Sequence, residues 1–171
     1  MKLKELFKYV QDFELTAEQE KQIKDYLGIK EPKVWKPDNR ETYFCLLSDG
    51  SVESTIYIKG SLFCACDVNR YAIGNCFKTK EEAEFAVEQI KVYTELKRYA
   101  AEHNEGEIDW SNHDSEKYFI RYHNQDEHIQ IDMNYYLQNP LQVYFTSEQI
   151  AKDAIKAVGE DRIKKYLFGV K

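Results

Sequence analysis

At 171 residues the chain is long enough for one compact domain or two small lobes. Its 43% hydrophobic and 14% aromatic content excludes a disordered polymer, because enough apolar surface is present to offset the entropy of ordering. A net charge of −6 disfavours a phosphate backbone as general partner, since counterion release needs clustered Lys and Arg; it suits an acidic surface meeting a basic groove.

Leu3, Leu6, Phe7 and Val10 recur at i, i+3, i+4 and i+7, which predicts an amphipathic helix. Thr16 caps a second helix, with Gln19 completing a capping box and Gly28 at the C′ position. The pair makes an αα-hairpin over residues 1–34. A DNA-reading helix-turn-helix is disfavoured, because Glu18 and Glu20 occupy the end that would approach phosphates. Pro32 and Pro37 mark residues 29–41 as a connector, with Trp35 expected to anchor it on the lobe that follows.

Tyr43–Leu47 and Val52–Ile58 read as strands around a Ser48–Ser51 turn, a hairpin signal. The second strand alternates, with Val52, Ser54, Ile56 and Ile58 on one face and Glu53, Thr55 and Tyr57 on the other. Leu62–Cys66 reads as a further strand after the turn at Lys59–Ser61. An apolar run ends at Phe77, and Thr79 with Glu82 forms the capping box of a long helix reaching about Ala101. Its expected apolar stripe is Ala83, Ala86, Val87, Ile90 and Tyr93.

Between 102 and 116 the chain carries six carboxylates and no Lys or Arg, the pattern of an exposed connector. The plan then recurs: Tyr118–Tyr122, a polar turn at His123–Glu127, His128–Met133, the Asn139-Pro140 corner, Gln142–Phe145, and a helix from Ser147. Setting Phe77 on Phe145 places Ala83 on Ala151, Ala86 on Ala154, Val87 on Ile155 and Ile90 on Val158. The second copy is seven residues shorter, the difference falling in the Lys59–Tyr71 loop of the first. Gly159 ends that helix, and Asp161–Phe168 forms a terminal one. The fold class expected is α+β: an N-terminal αα-hairpin (1–34) followed by two tandem antiparallel ββ(β)α repeats, 35–105 and 106–171.

Motifs for chemistry are sparse. No Gly-x-Ser-x-Gly elbow, Walker loop or His-Glu-x-x-His occurs, so no catalytic residue and no cofactor is assigned. Gly74-Asn75 resembles a phosphate loop only superficially. Cys45, Cys64, Cys66 and Cys76 lack the knuckle spacing of structural zinc, so core packing is the preferred reading. His103 and His113 sit among acids without ligand spacing, and His123 and His128 flank a turn where polar residues belong; no metal is assigned. No signal-peptide pattern and no membrane-spanning apolar run is present, and four cysteines without secretory context read as reduced thiols, so a cytoplasmic location is expected. Tyr43, Tyr57, Tyr118, Tyr122, Tyr135, Tyr136 and Tyr144 could stack bases on a sheet, but only Lys59, Arg70 and Arg121 lie near to supply a basic rim.

The run Ile73–Ala83, the closing Val158–Gly169, the Trp35-Lys36-Pro37 connector and the Tyr43-Phe44 opening together resemble small proteins encoded by phages and prophages of Firmicutes. The resemblance covers roughly residues 33–171. It implies a phage accessory protein, a group whose acidic members of this size include anti-CRISPR inhibitors that occupy basic nucleic-acid grooves of Cas nucleases. No catalytic residues come with it. The expected function is therefore non-catalytic binding to a host protein, Cas9 or its guide-RNA complex. The expected partner-binding residues are Glu102, Glu105, Glu107, Asp109, Asp114 and Trp110, with the sheet tyrosines Tyr122, Tyr135 and Tyr136. The alternative is a nucleic-acid-binding accessory protein of phage replication or recombination.

Overall fold

The computed structural model describes residues 16–28, 34–59 and 65–170. The chain divides between Lys36 and Pro37 into two compact units. In the N-terminal unit, α1 (Ala17–Tyr26) opens with the expected reciprocal cap. The Thr16 amide donates to Gln19 Oε1 at 2.9 Å, and the Gln19 amide donates to Thr16 Oγ1 at 3.3 Å. The helix expected around Leu3–Val10 lies outside the described residues.

The second unit is α+β, with two small antiparallel sheets. β1 (Thr42–Leu46) pairs with β2 (Val52–Ile56) from Thr42↔Ile56 to Leu46↔Val52. Gly50 closes the turn at φ +82°, a conformation that costs a side chain dearly. An alternation alone favours the aliphatic face of β2 for burial, yet Ile56 and Ile58 are about half exposed. The buried face is that of Tyr43, Cys45 and Tyr57, whose two rings meet edge to face at 6.2 Å. The reason is polar. That face delivers the Tyr43 hydroxyl to the buried carboxylate of Asp67 at 2.7 Å, and Asp67 also accepts from the Ile58 amide.

Asp67 belongs to α2 (Ala65–Ala72), where a strand over Leu62–Cys66 was expected. Ala65 and Cys66 begin a helix instead, and residues 60–64 lie outside the described chain. A Cys-Ala-Cys alternation misleads here because the side chain buried in this segment is Asp67, held by the Tyr43 hydroxyl, while Cys66 is exposed. Asn75 then returns the chain to the sheet, its side-chain amide accepting from the Leu46 amide and donating to the Leu46 carbonyl. That use of Asn75 removes the phosphate-loop likeness of Gly74-Asn75. Phe77 bridges Phe44 antiparallel, and Thr79 caps α3 (Lys80–His103) with the full Thr79/Glu82 box.

α3 is 24 residues long, about 36 Å. Its buried positions are Ala83, Val87, Val92, Leu96 and Ala100. The step from Val87 to Val92 is five residues, which swings the buried face by about 140°, against about 40° for a four-residue step. Ile90, expected in the stripe, is consequently 57% exposed. The N-terminal part of the helix serves the first sheet, and the C-terminal part enters a core shared with the second.

The second sheet has the order β4-β3-β5, from β3 (Lys117–His123), β4 (His128–Asn134) and β5 (Tyr144–Phe145). β5 covers only the end of the run expected to be extended from Gln142. β3 and β4 pair from Lys117↔Asn134 to His123↔His128, and Tyr118 pairs with Phe145 across the other edge. Ser147 caps α4 (Glu148–Val158); Gly159, at φ +98°, breaks the chain into α5 (Glu160–Phe168). Val92, Leu96 and Ala100 of α3 make one core with Ile120, Phe145, Ala151, Ala154, Val158 and Ile163. Ala83 and Ala151, aligned by sequence, are both fully buried, whereas Ile90 and its counterpart Val158 differ. Among the described residues, no helix is long and apolar enough to cross a membrane.

Arg162 ties α5 back to α3. Its guanidinium donates to both carboxylate oxygens of Glu95, at 2.7 and 3.1 Å, and lies 3.5 Å from Glu88. That fork holds the Glu95 carboxyl below the ordinary carboxylate range. A depressed folded-state pKa stabilises above the unfolded value and ceases to do so as pH falls through the folded one. Arg162→Gln is therefore expected to lower stability by about 1 kcal/mol at pH 7, with the deficit shrinking as pH falls through the folded-state pKa of Glu95, measured by urea denaturation at neutral and at acid pH. Leu96→Ala, which empties a position shared by α3, α4 and the second sheet, is expected to cost about 2–5 kcal/mol in the same assay.

Candidate functional site

The acidic stretch after α3 is exposed in its side chains but anchored in its backbone. Asn104 caps the helix by its own amide, and its side chain donates to the Tyr144 carbonyl and accepts from the Thr146 amide, both at 3.1 Å. The Glu105 amide donates to Thr146 Oγ1. Further on, the ammonium of Lys117, 1% exposed, donates to the carbonyls of Asn112 and Ser115 and to Ser115 Oγ. A buried ammonium persists only when its donors are used, and these three acceptors use them. The same ammonium lies 5.7 Å from the ring centre of Trp110. Glu105, Glu107, Asp109, Asp114 and Glu116 therefore project from a held loop, and Glu102 is exposed on the last turn of α3 just before it.

Trp110 packs edge to face on Tyr144 at 4.8 Å, and Tyr144 packs on Phe119 at 5.8 Å. The Tyr144 hydroxyl accepts from the Asn139 amide and donates to the Leu137 carbonyl, so one side chain holds the 135–141 loop beside the acidic one. On that loop Tyr136, Leu137 and Leu141 are exposed at 69%, 66% and 81%. Glu116 accepts hydrogen bonds from the hydroxyls of Tyr118 and Tyr135. The hydrogen bond to that carboxylate pushes the Tyr118 phenol up to about 12 and raises that of Tyr135. The Ser111 hydroxyl and amide hold Asp109 below the usual carboxylate range.

Of the residues singled out by sequence, Trp110 is linked through Tyr144, and the acidic stretch through Glu116, to the loop that carries Tyr135 and Tyr136. Tyr122 stands apart, stacked on Phe168 of α5. Tyr43 and Tyr57 are buried in the first sheet and present no stacking surface. The apolar side chains of the 135–141 loop were missed, because a Tyr-Tyr-Leu run beside Asn139-Pro140 reads equally well as the edge of a core.

Other candidate centres resolve locally. Cys45 is buried, Cys66 exposed and Cys76 half-buried. Burial raises the Cys45 thiol and pushes Cys76 up to about 11, so neither is a thiolate near neutrality. His103 stacks on Tyr99 at 3.9 Å and hydrogen-bonds its carbonyl. A cleft of about 730 Å³ opens between the β1–β2 turn, the start of α3 and α5. Four of its charges pair internally, Lys80 with Glu84 at 3.1 Å and Lys91 with Glu88 at 2.7 Å; Glu81 and Lys165 also line it, Lys165 over the Tyr166 ring. Among the described residues, one set of three His, Cys or carboxylate side chains has ligand atoms within 4.8 Å of one another: His123, Asp126 and His128. The sequence shows this grouping only as His-x₂-Asp-x-His across a turn.

Comparison with protein-family models, with curated proteins and with solved structures finds no match. The geometry therefore stands alone in defining the class: a two-sheet α+β protein with an anchored acidic loop beside an exposed aromatic and aliphatic one.

Lys117→Met keeps the stem of the side chain and removes the ammonium from three acceptors. It is expected to destabilise by about 2–3 kcal/mol. In a Trp35→Phe background, the emission of Trp110 should shift to the red as the loop loosens.

Proposed function

We propose that this protein is a non-catalytic binding protein that occludes a basic surface of another macromolecule. The partner class proposed is a host defence nuclease of the Cas9 type or its guide-RNA complex, met in the cytoplasm of a bacterial host of a phage. One observation carries the reading: five carboxylates, with Glu102 on the adjoining helix end, project from a loop fixed by Asn104, Trp110 and Lys117 rather than from a free linker. A pre-ordered array loses less entropy on docking than a mobile one. Its field would set encounter rate and register, while the neighbouring Tyr136, Leu137 and Leu141 supply apolar contact. Glu102, Glu105, Glu107, Asp109, Asp114, Tyr135 and Tyr136 form the binding face in this reading. Tyr122 is left outside it.

The two halves are proposed to be tandem copies of one antiparallel ββ(β)α unit behind the N-terminal αα-hairpin. What supports this is a shared connection. β1 and β3 each pair with a hairpin partner on one edge, and on the other with a segment that runs directly into a Thr- or Ser-capped helix.

Surface-plasmon measurement of the purified chain on immobilised Cas9, with and without guide RNA, tests the function. Binding to at least one form is expected, with the triple variant Glu105→Lys, Glu107→Lys and Asp109→Lys weakened at least about tenfold, mainly in association rate. Absence of a complex with either form would remove the nuclease reading. A salt-sensitive shift of single-stranded DNA would favour a nucleic-acid accessory role instead.

A further inference from the structure

We propose that the β3–β4 hairpin is a binding site for a divalent first-row transition metal, with His123, Asp126 and His128 as protein ligands. His123 and His128 are the last pair of the ladder and lie directly opposite each other. Opposed residues in an antiparallel pair share a face, with Cβ atoms about 4.5–5.5 Å apart. Their imidazoles lie 5.7 Å apart at 30°. The four-residue turn then folds Asp126 back onto the pair, its carboxylate 3.1 Å from His123 Nδ1 and its amide donating to the same nitrogen at 3.3 Å. Glu127 makes that return possible by adopting φ +52°.

The donor set is two imidazoles and one carboxylate, which suits zinc, nickel or copper better than the oxygen-seeking magnesium or calcium. Ligand atoms 2.0–2.1 Å from a tetrahedral metal stand about 3.3–3.4 Å apart. One atom from each side chain already lies within 4.8 Å of the others. Asp126 and His128 are exposed and His123 is half-buried, so rotamer changes of the two exposed side chains close the remaining distance while the strand register stays fixed. The hydrogen bond between His123 and Asp126 accounts for two members of the group without a metal. It leaves His128 unexplained, since among the described residues its ring is held by the contact with His123 alone. Arg121, two residues before His123 on the same strand face, is ion-paired to Asp132 at 2.7 Å. Position four of the coordination shell opens to solvent, where water or a donor from another molecule completes it.

The test titrates the full-length chain with zinc chloride and, separately, nickel chloride by calorimetry, with histidine ring signals followed by NMR. Saturable one-to-one binding is expected, with the His123 and His128 signals moving and those of His103 and His113 staying. His128→Asn and Asp126→Asn should each weaken binding at least about tenfold. The double variant His103→Asn/His113→Asn should leave it within about twofold of the unaltered chain. Failure of both metals to bind, or ring shifts confined to other histidines in the unaltered chain, would overturn the proposal. So would equal affinity in a folded His128→Asn variant.

Discussion

One helix has to serve two sheets, and much of the second unit follows from how α3 does it. A helix with a single stripe can cover one sheet. α3 instead changes its buried face between Val87 and Val92, packing first near β1 and β2 and then within the core of β3, β5, α4 and α5. The exposure of Ile90 is the local consequence. The fork from Arg162 to Glu95 and Glu88 sits over this changeover and joins α5 to it. Residues 37–171 are accordingly one unit, although each sheet has its own hairpin.

The same helix sets where the acidic loop starts. α3 ends at His103, and Asn104 immediately bonds to the strand-end residues Tyr144 and Thr146. From there the chain returns to β3 over a short span, with Trp110 and Lys117 consuming its inward-facing capacity for contact. The carboxylates are exposed, Glu116 accepting from the Tyr118 and Tyr135 hydroxyls and Asp109 from Ser111. The acidic surface is thus a result of how a tight loop distributes its side chains. Tyr144 couples it to the second loop, because a single hydroxyl both accepts from Asn139 and donates to Leu137.

Two kinds of surface chemistry coexist at opposite ends of β3. At the Lys117 end lie the acids and the exposed aliphatic loop; at the His123 end lie the paired imidazoles with Asp126. Successive same-face residues on β3 are Phe119, Arg121 and His123, so the outer face of the sheet connects the two ends through the Arg121–Asp132 ion pair.

Local signals written in short runs of sequence were legible directly. The Thr16/Gln19 and Thr79/Glu82 boxes, the Ser147 cap, the Gly159 break and both hairpins depend on residues within a few positions of each other, and each is where its residues place it. What depended on distant partners was not legible. Tyr43 and Asp67 are 24 positions apart, and their hydrogen bond links the buried face of the first sheet to the helix Ala65–Ala72, a pairing that no short run of sequence encodes. Lys117 gave no hint of burial, since its acceptors are backbone carbonyls exposed by the loop's own fold. His123 and His128 acquire ligand geometry only once register sets them opposite one another. Periodicity and capping are properties of neighbouring residues; burial, pairing and convergence of donors are properties of the packed chain.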